Sequence, residues 1–433
     1  MIPDHTPKQL NFSDQIRQII TEIQTVYRNY QYPWVIGYSG GKDSTTTLQL
    51  IWLALRELPP EQLTNSVYVI STDTLVETPV IVDYTSDAIR QMNEAAARDN
   101  LPLSAHKLSP ILDDKFWVNL IGRGYPAPNN TFRWCTERLK INPSNRFILS
   151  KVAEHGRVIL ALGTRQGESP RRDQIMKKHE ITGYGQLSEH GQLRGAWVYT
   201  PIKHLTTNDI WKYLIQVESP WGGDNRRLSS LYQSAQDGEC PLVVDTTTAS
   251  CGNSRFGCWV CTVVTRDKSM EAMIDSGEEW MIPLLEFRDW LSSTQNPAVK
   301  PQQREFRGRA GDIKITADGR LRYRTYTLEF SRQMLRRLLE TQREMQEELG
   351  DESFLLIGRD ELREIRRIWL TERHDWADTL PEIYTAATGQ TLEWEQNDIA
   401  TPGQLEAALL DELAAEYGVP VTLVKQLLDA EWQ

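Results

Sequence analysis

The chain is poor in cysteine, with five in 433 residues. A secreted disulfide framework packs many more into a shorter chain, so these five read as metal ligands or reactive thiols in a reducing compartment. No apolar run approaches the ~20 residues that a membrane-spanning helix needs. The opening Met1-Ile2-Pro3-Asp4-His5 has neither a basic n-region nor an apolar h-region. The expectation is therefore a cytoplasmic protein with no membrane partner. Internal repeats and low-complexity linkers are lacking as well. With 40% apolar and 25% charged residues, the composition sits near the globular average and excludes disorder and collagen-like sequence. Domains cluster at ~100–150 residues, so this length predicts two or three packed domains.

Net charge is -11, which on its own argues against a nucleic-acid partner. The distribution changes that reading. Residues 371–433 carry 13 acidic and 2 basic side chains, so the first 370 residues balance at 46 of each sign. Within them, 300–337 holds 11 Lys/Arg against 4 Asp/Glu. A basic segment followed by an acidic tail permits a DNA partner that the whole-chain charge conceals.

Apolar residues recur at helical spacing from Asp14 to Tyr30, behind a Ser13 cap. Trp34 to Tyr38 reads as a buried strand, followed by Ser39-Gly40-Gly41-Lys42-Asp43-Ser44 and a helix from Thr45 to about Glu57. Val67–Ile70 is a second strand and Pro79–Arg98 a second helix. Weaker strands fall at 103–107 and 158–162, with a helix over 144–154 between them. This alternation predicts an α/β fold: a parallel sheet with helices on both faces. A cysteine-rich loop region follows, then a hairpin turning at Asp318-Gly319. A mostly helical C-terminal region closes the chain, with helices near 327–349, 359–371, 377–388, 403–417 and 420–431. The expected domains are an N-terminal helix (1–33), a nucleotide-binding domain (34–219), a cysteine-rich region (220–299), and a basic hairpin with helices (300–433).

Strand, glycine-rich turn and helix together form a phosphate grip. Backbone N–H groups of the turn and helix N-terminus converge on the anion, and glycine lets the backbone come close. Gly40 and Gly41 supply the approach, Ser39 and Ser44 the hydroxyls, and Lys42 a point charge. A Walker loop would need glycine where Ile36 stands and Ser or Thr where Asp43 stands, so this is not one. The motif instead resembles the PP-loop of ATP pyrophosphatases and their adenylyl-sulfate reductase relatives, which implies an adenine nucleotide α hydrolase-like fold. Further matches follow in order. Ser71-Thr72-Asp73-Thr74 with Glu77-Thr78 resembles the family's Asp-Thr motif. Arg133 to Lys140 resembles its Cys-x-x-Arg-x-Lys stretch. Gly163 to Arg172 resembles its Gly-x-Arg-x-x-Glu-Ser-x-x-Arg motif, and Pro201-Ile202 with Asp209-Ile210-Trp211 its closing segment. Of the cations, Arg165 directly follows a buried strand, where open α/β sheets bind ligands. Arg165, Arg171 and Arg172 suit bidentate pairing with phosphate, although one of Arg171 and Arg172 equally suits a solvated helix start.

Cys240, Cys251, Cys258 and Cys261 follow a C-x10-C-x6-C-x2-C spacing. Four thiolates so close can surround one soft centre, and spacing leaves zinc and iron–sulfur equally open. Cys135 stands apart among Arg133, Arg138 and Lys140, cations of the kind that populate a thiolate. That setting suits a nucleophile or a carrier of transferable sulfur. The other readings are a small apolar filler beside Trp134 and a further cluster ligand.

A PP-loop domain, four later cysteines and a helical extension with an Arg-rich stretch resemble the DndC sulfurtransferase family of bacterial DNA phosphorothioation systems. That resemblance implies ATP, Mg2+ and a 4Fe-4S cluster as cofactors, with Cys240, Cys251, Cys258 and Cys261 as cluster ligands. It implies DNA, a cysteine desulfurase as sulfur donor, and other phosphorothioation subunits as partners. Ser39, Gly40, Gly41, Lys42, Asp43, Ser44, Asp73, Arg165, Glu168 and Arg172 would bind ATP. Cys135, Asp43, Lys42 and Arg165 would carry the chemistry. The activity implied is ATP-driven replacement of a non-bridging oxygen of DNA by sulfur. A tRNA thiolase or an adenylyl-sulfate reductase of the same fold is the alternative enzyme, and a non-catalytic nucleotide-sensing subunit the alternative of another class. The reductases' Cys-Gly-Leu-His nucleophile and their adjacent cysteine pair have no counterpart here; Trp134-Cys135 stands in place of the pair. Residues 300–337, with Tyr323 and Tyr326, are expected along the DNA backbone.

Overall fold

The computed structural model describes residues 11–167, 174, 186–229, 257–307, 312–316, 319–392 and 404–432. They fall into two compact units, one of residues 1–110 and 134–258, the other of 111–133 and 259–433.

The first unit opens with α1 (Phe12–Asn29), whose buried Ile20, Ile23, Val26 and Tyr27 form one apolar stripe. Its cap is Asn11, not the expected Ser13: the Asn11 side chain accepts from the Asp14 N–H at 2.9 Å, and Ser13 lies inside the first turn. Four parallel strands follow with their helices: β1 (Trp34–Gly37), α2 (Lys42–Arg56), β2 (Val67–Thr72), α3 (Pro79–Arg98), β3 (Leu103–Leu108), α4 (Asn142–His155) and β4 (Val158–Ala161). The sheet is completed by two strands the sequence pattern did not reveal, β5 (Ser188–Glu189) and β6 (Ala196–Tyr199), before α5 (Thr207–Gln216). The strand order is β3-β2-β1-β4-β6-β5, with β5 alone antiparallel. Ala196-Trp197-Val198-Tyr199 is too short, and too even in character, to announce a strand by alternation. It is fixed by pairing along β4.

Both faces of the sheet are covered. Trp34, Ile36, Val67 and Val69 pack under α1, α2, α3 and α5, while Val35, Ile70, Val158 and Leu160 pack under Ile148 of α4. Such fully buried Val and Ile each contribute ~1.5–3 kcal/mol of burial. The chain leaves β1 outward to β2 and β3, then returns to lay β4 on the other side of β1. The strand order therefore reverses between β1 and β4, the crevice where such sheets hold ligands.

The second unit takes residues 111–133 out of the middle of the sheet domain. They form a π-helical turn, Val118–Gly122, against a helical array of α6 (Lys268–Asp275), α7 (Ile282–Ser293), α8 (Leu328–Leu349), α9 (Arg359–Glu372), α10 (Thr379–Thr388), α11 (Gln404–Glu416) and α12 (Val421–Trp432). A π turn leaves carbonyls short of partners, and long side chains supply them. Trp369 donates Nε1–H to the Ile121 carbonyl at 3.1 Å, and Arg373 reaches the Ile121 and Gly122 carbonyls at 3.2 Å each. Tyr326, expected beside DNA, is instead fully buried. Its hydroxyl bonds the Thr294 hydroxyl at 2.5 Å and receives the Ala127 N–H at 3.2 Å, so it serves the core of this unit and not a surface. Ile315 is bridged antiparallel to Leu321 on either side of the expected turn, where Gly319 has φ +80 and Asp318 lies outside the described residues. None of the described helices is long and apolar enough to cross a membrane.

Glu361 is a costly group in this unit. It is buried in the first turn of α9, where it accepts the Gly358 N–H at 3.1 Å. Burial raises its carboxyl from 4.5 to about 7, against the pull of that hydrogen bond and of Lys115. Above pH 7 the group is ionised folded and unfolded, and the full penalty applies. As pH falls from about 7 toward the unfolded value, the folded form takes the proton first and stability rises. Glu361→Gln should gain roughly 3 kcal/mol at pH 8 and little at pH 4. Urea denaturation of both proteins across this range checks it.

Candidate active site

The loop Ser39–Gly41 leaves β1 and enters α2 at Lys42. Gly40 sits at φ +73, a conformation that suits glycine. Ser44 donates its hydroxyl to the Gly41 carbonyl at 3.0 Å and lies 3.1 Å from the Ser39 hydroxyl. With its own proton committed, Ser44 accepts from Ser39, whose backbone N–H also points at it from 3.2 Å. The loop is thus braced from within. Gly41, the N-cap of α2, carries no side chain to cap the helix. That leaves the positive end of a 15-residue helix at the sheet crevice, a setting that favours an anion.

Three charges meet at this helix start, two of them buried. Asp43 accepts from Lys42 Nζ at 3.0 Å through one oxygen and from Arg165 Nε through the other. Arg165 also donates to the Leu205 carbonyl at 3.4 Å. Lys42 and Arg165 are each 3% exposed, so two cations share one carboxylate away from water. Buried cations at a helix N-terminus match a phosphate ligand. Gly163 makes the approach possible. A Cβ at this position would lie 2.8 Å from the Asp43 carbonyl carbon, so the end of β4 can touch the start of α2 only because no side chain intervenes.

At the end of β2, Asp73 accepts from Lys107 Nζ and from the Leu75 N–H, each at 2.8 Å. Leu75 holds φ +61, a strained value for a leucine, next to the Asp-Thr motif. Beyond it, Glu77 is half-buried, and burial raises its carboxyl above the ordinary range while Lys140 and Lys107 oppose the shift. Cys258 is fastened to this same loop. Its thiol lies 3.3 Å from the Thr74 hydroxyl, its backbone bridges to Glu77, and the adjacent Gly257 carbonyl accepts both the N–H and the hydroxyl of Thr78 at 3.1 Å.

Of the expected site residues, Ser39, Gly40, Gly41, Lys42, Asp43, Ser44 and Arg165 gather at the crevice, with Asp73 at the end of a neighbouring strand. Cys135 is half-buried in the short helical turn Trp134–Thr136, which widens into a π turn over Glu137–Ile141. Cys261 is half-buried in the second unit, where its carbonyl accepts from Arg288 at 2.9 Å. None of the three described cysteines is in a disulfide. Glu168, Arg171, Arg172, Cys240 and Cys251 lie outside the described residues. Among the described residues, no group of three His, Cys, Asp or Glu side chains is placed to hold a metal ion. Sequence reasoning missed Lys107, the partner of Asp73. It also missed the attachment of Cys258 to the Thr74–Thr78 loop across 184 residues of chain, which no local pattern signals.

A parallel sheet whose reversal point carries a braced serine–glycine loop, a bare helix N-terminus and buried cations defines a PP-loop nucleotide-binding protein. Residues 33–264 match the phosphoadenosine phosphosulfate reductase domain, and the chain belongs to that family. An uncharacterized protein of Methanocaldococcus jannaschii is 24% identical over 245 residues, covering 57% of this chain but only 39% of that relative. Among solved structures, the phosphoadenylyl-sulfate reductase of Candida auris is 14% identical, covering 48% of this chain and 87% of its own, with a TM-score of 0.28. The U34-tRNA thiolase NcsA of Methanococcus maripaludis, with its 4Fe-4S cluster, is 11% identical over 65% of this chain and 80% of its own, with a TM-score of 0.30. The NH3-dependent NAD synthetase of Campylobacter jejuni is 14% identical over 69% of this chain and 99% of its own, with a TM-score of 0.28. Scores this low carry no argument about activity. Family membership points to nucleotide-dependent, sulfur-related chemistry.

Removing the shared carboxylate takes one ion-pair partner from each of two buried cations. Asp43→Ala should therefore cost about 3–5 kcal/mol of stability, and Asp43→Asn less, since the amide oxygen still accepts. Urea denaturation followed by circular dichroism measures this. An unchanged midpoint would show that Lys42 and Arg165 find water in the variant.

Proposed function

We propose that this protein is an ATP-dependent sulfurtransferase of the DndC type, which inserts sulfur into the DNA backbone. The observation that carries the reading is the Cys258 thiol fastened to the Asp73–Thr78 loop beside the PP-loop crevice. It brings thiol chemistry to the edge of a nucleotide site.

A phosphodiester oxygen is a very poor leaving group, and adenylation corrects that. A non-bridging oxygen of DNA attacks the α-phosphorus of ATP, forming the P–O bond and expelling pyrophosphate. The N-terminus of α2, Ser39, Lys42 and Arg165 hold the phosphates and the developing charge, and Mg2+ entering with the ATP would share it. A persulfide on Cys135, loaded by a cysteine desulfurase, then attacks the activated phosphorus through its outer sulfur and AMP departs. A second thiolate takes the inner sulfur as a disulfide, leaving the phosphorothioate, and an external dithiol reduces that disulfide. Electrons and atoms balance with one dithiol oxidised per sulfur inserted.

Cys240, Cys251, Cys258 and Cys261 would supply an all-thiolate donor set, a chemistry that suits a 4Fe-4S cluster as well as a structural zinc. When bound, the cluster supplies a place to hold sulfur or deliver electrons. Protein purified without oxygen should be brown, Cys258→Ser and Cys261→Ser should bleach it, and Cys135→Ser should keep the colour. Elemental analysis giving one zinc and no iron would reject the cluster.

ATP should yield AMP and pyrophosphate, and Ser39→Ala should lower the rate of pyrophosphate release by 10-fold or more, about 1.4 kcal/mol. ADP with inorganic phosphate as products would reject the PP-loop chemistry. Mass spectrometry of nuclease-digested DNA from expressing cells, with the desulfurase and partner subunits present, tests the substrate. Phosphorothioate dinucleotides are expected, and thiolated tRNA bases instead would transfer the reading to the tRNA thiolases.

A further inference from the structure

The second unit contains a cavity of about 920 Å3 that none of this chemistry uses. Its wall carries Lys300, Arg304, Lys314, Arg320, Arg322 and Arg324, and among the described residues no Asp or Glu lines it. One carboxylate stands just outside: Asp312 pairs with Arg324 at 2.7 Å. The six cations border a space too large for a single phosphate. Three rings border the same space: Tyr125 and Tyr323, both half-buried, and Phe132, which is 45% exposed. Tyr125 and Phe132 come from the 111–133 stretch and the cations from the hairpin region, so folding alone brings these rings and charges together.

Two groups at the cavity are held in states that an anion would relieve. Arg304 is 7% exposed and stacked over the Tyr326 ring at 4.8 Å. It gives one nitrogen to the Thr294 carbonyl at 3.1 Å, while its buried Nε–H has no partner. A buried guanidinium N–H without an acceptor costs free energy until an acceptor arrives. Lys300 lies close enough to Arg304 that burial and the neighbouring charge both disfavour its cation. Two cations are thus pressed together at the cavity wall, and Arg320, Arg322 and Arg324 alternate along the hairpin arm that follows.

We infer that this cavity cradles an unpaired stretch of nucleic acid, with successive phosphates on the hairpin arginines and one base against Phe132 and Tyr323. Cationic grooves with exposed rings bind single strands this way, because every base offers a face to stack on. A duplex hides those faces inside its stack, so the rings would be wasted on it. The inference rests on the nucleic-acid reading proposed above and adds the form in which the strand is taken.

Fluorescence anisotropy of the full chain tests it, using a labelled oligodeoxynucleotide, its fully paired duplex, and an RNA strand of the same sequence. The single strand should bind more tightly than the duplex. Arg320→Ala with Arg322→Ala should lower the slope of log affinity against log salt by about 1.4, two phosphates' worth. Phe132→Ala should weaken single-strand binding by about 5- to 150-fold with little change in that slope. Tyr323→Ala, at a second ring, keeps the test decisive if the Phe132 variant fails to fold. Equal or tighter duplex binding would overturn the inference, as would ring variants that bind like the wild type. Tight binding of the RNA strand with none of the DNA strand would support the cradle and reject DNA as the substrate. Phosphorothioate formation at the wild-type rate by variants that no longer bind the single strand would do the reverse.

Discussion

The charge triad at the start of α2 is the constraint on which the rest of the first unit depends. Lys42 and Arg165 are removed from water and share Asp43. Burying ions costs several kcal/mol apiece, and the arrangement persists only where the geometry of pairing is good. That geometry requires β4 to end against the first turn of α2, which requires Gly163 to have no side chain. The sheet must therefore reverse its order between β1 and β4, and the serine–glycine loop must be braced internally by Ser39 and Ser44. A helix N-terminus and two buried cations are left at the crevice, a setting that favours a phosphate.

The second unit solves a different problem. Residues 111–133 enter it as a π turn whose carbonyls need donors, and Trp369 and Arg373 reach them from α9 and just past its end. Arg288 works the same way on the segment after the last cysteine. Fully buried, it donates to the carbonyls of Cys261, Val264 and Thr265. Irregular backbone is permitted in an interior when side chains satisfy it. Here long cationic and indole side chains, spent on carbonyls and not on solvent, hold the loop that carries one of the cysteines.

Much of this was legible from local pattern. Helices over 79–98, 328–349 and 359–372 stand within a residue or so of their periodicity, because amphipathic repeats and caps act within a few turns. The loop Ser39–Ser44 was recognisable because phosphate binding needs glycines and hydroxyls at fixed offsets. The sequence on its own also determined the fold class, since strands alternating with helices leave little choice but a parallel sheet covered on both faces.

Tertiary structure decided the rest. Asn11, and not Ser13, caps α1, because both residues are good caps and only the entry direction of the chain selects between them. Tyr326 belongs to a core although its neighbours are basic, because α7 and the 111–133 turn close over it. Lys107 meets Asp73, and Cys258 meets Thr74, across separations that carry no periodic signal. Local sequence encodes what a few residues do together in water; which distant side chains exclude water from one another is settled only when the chain has packed.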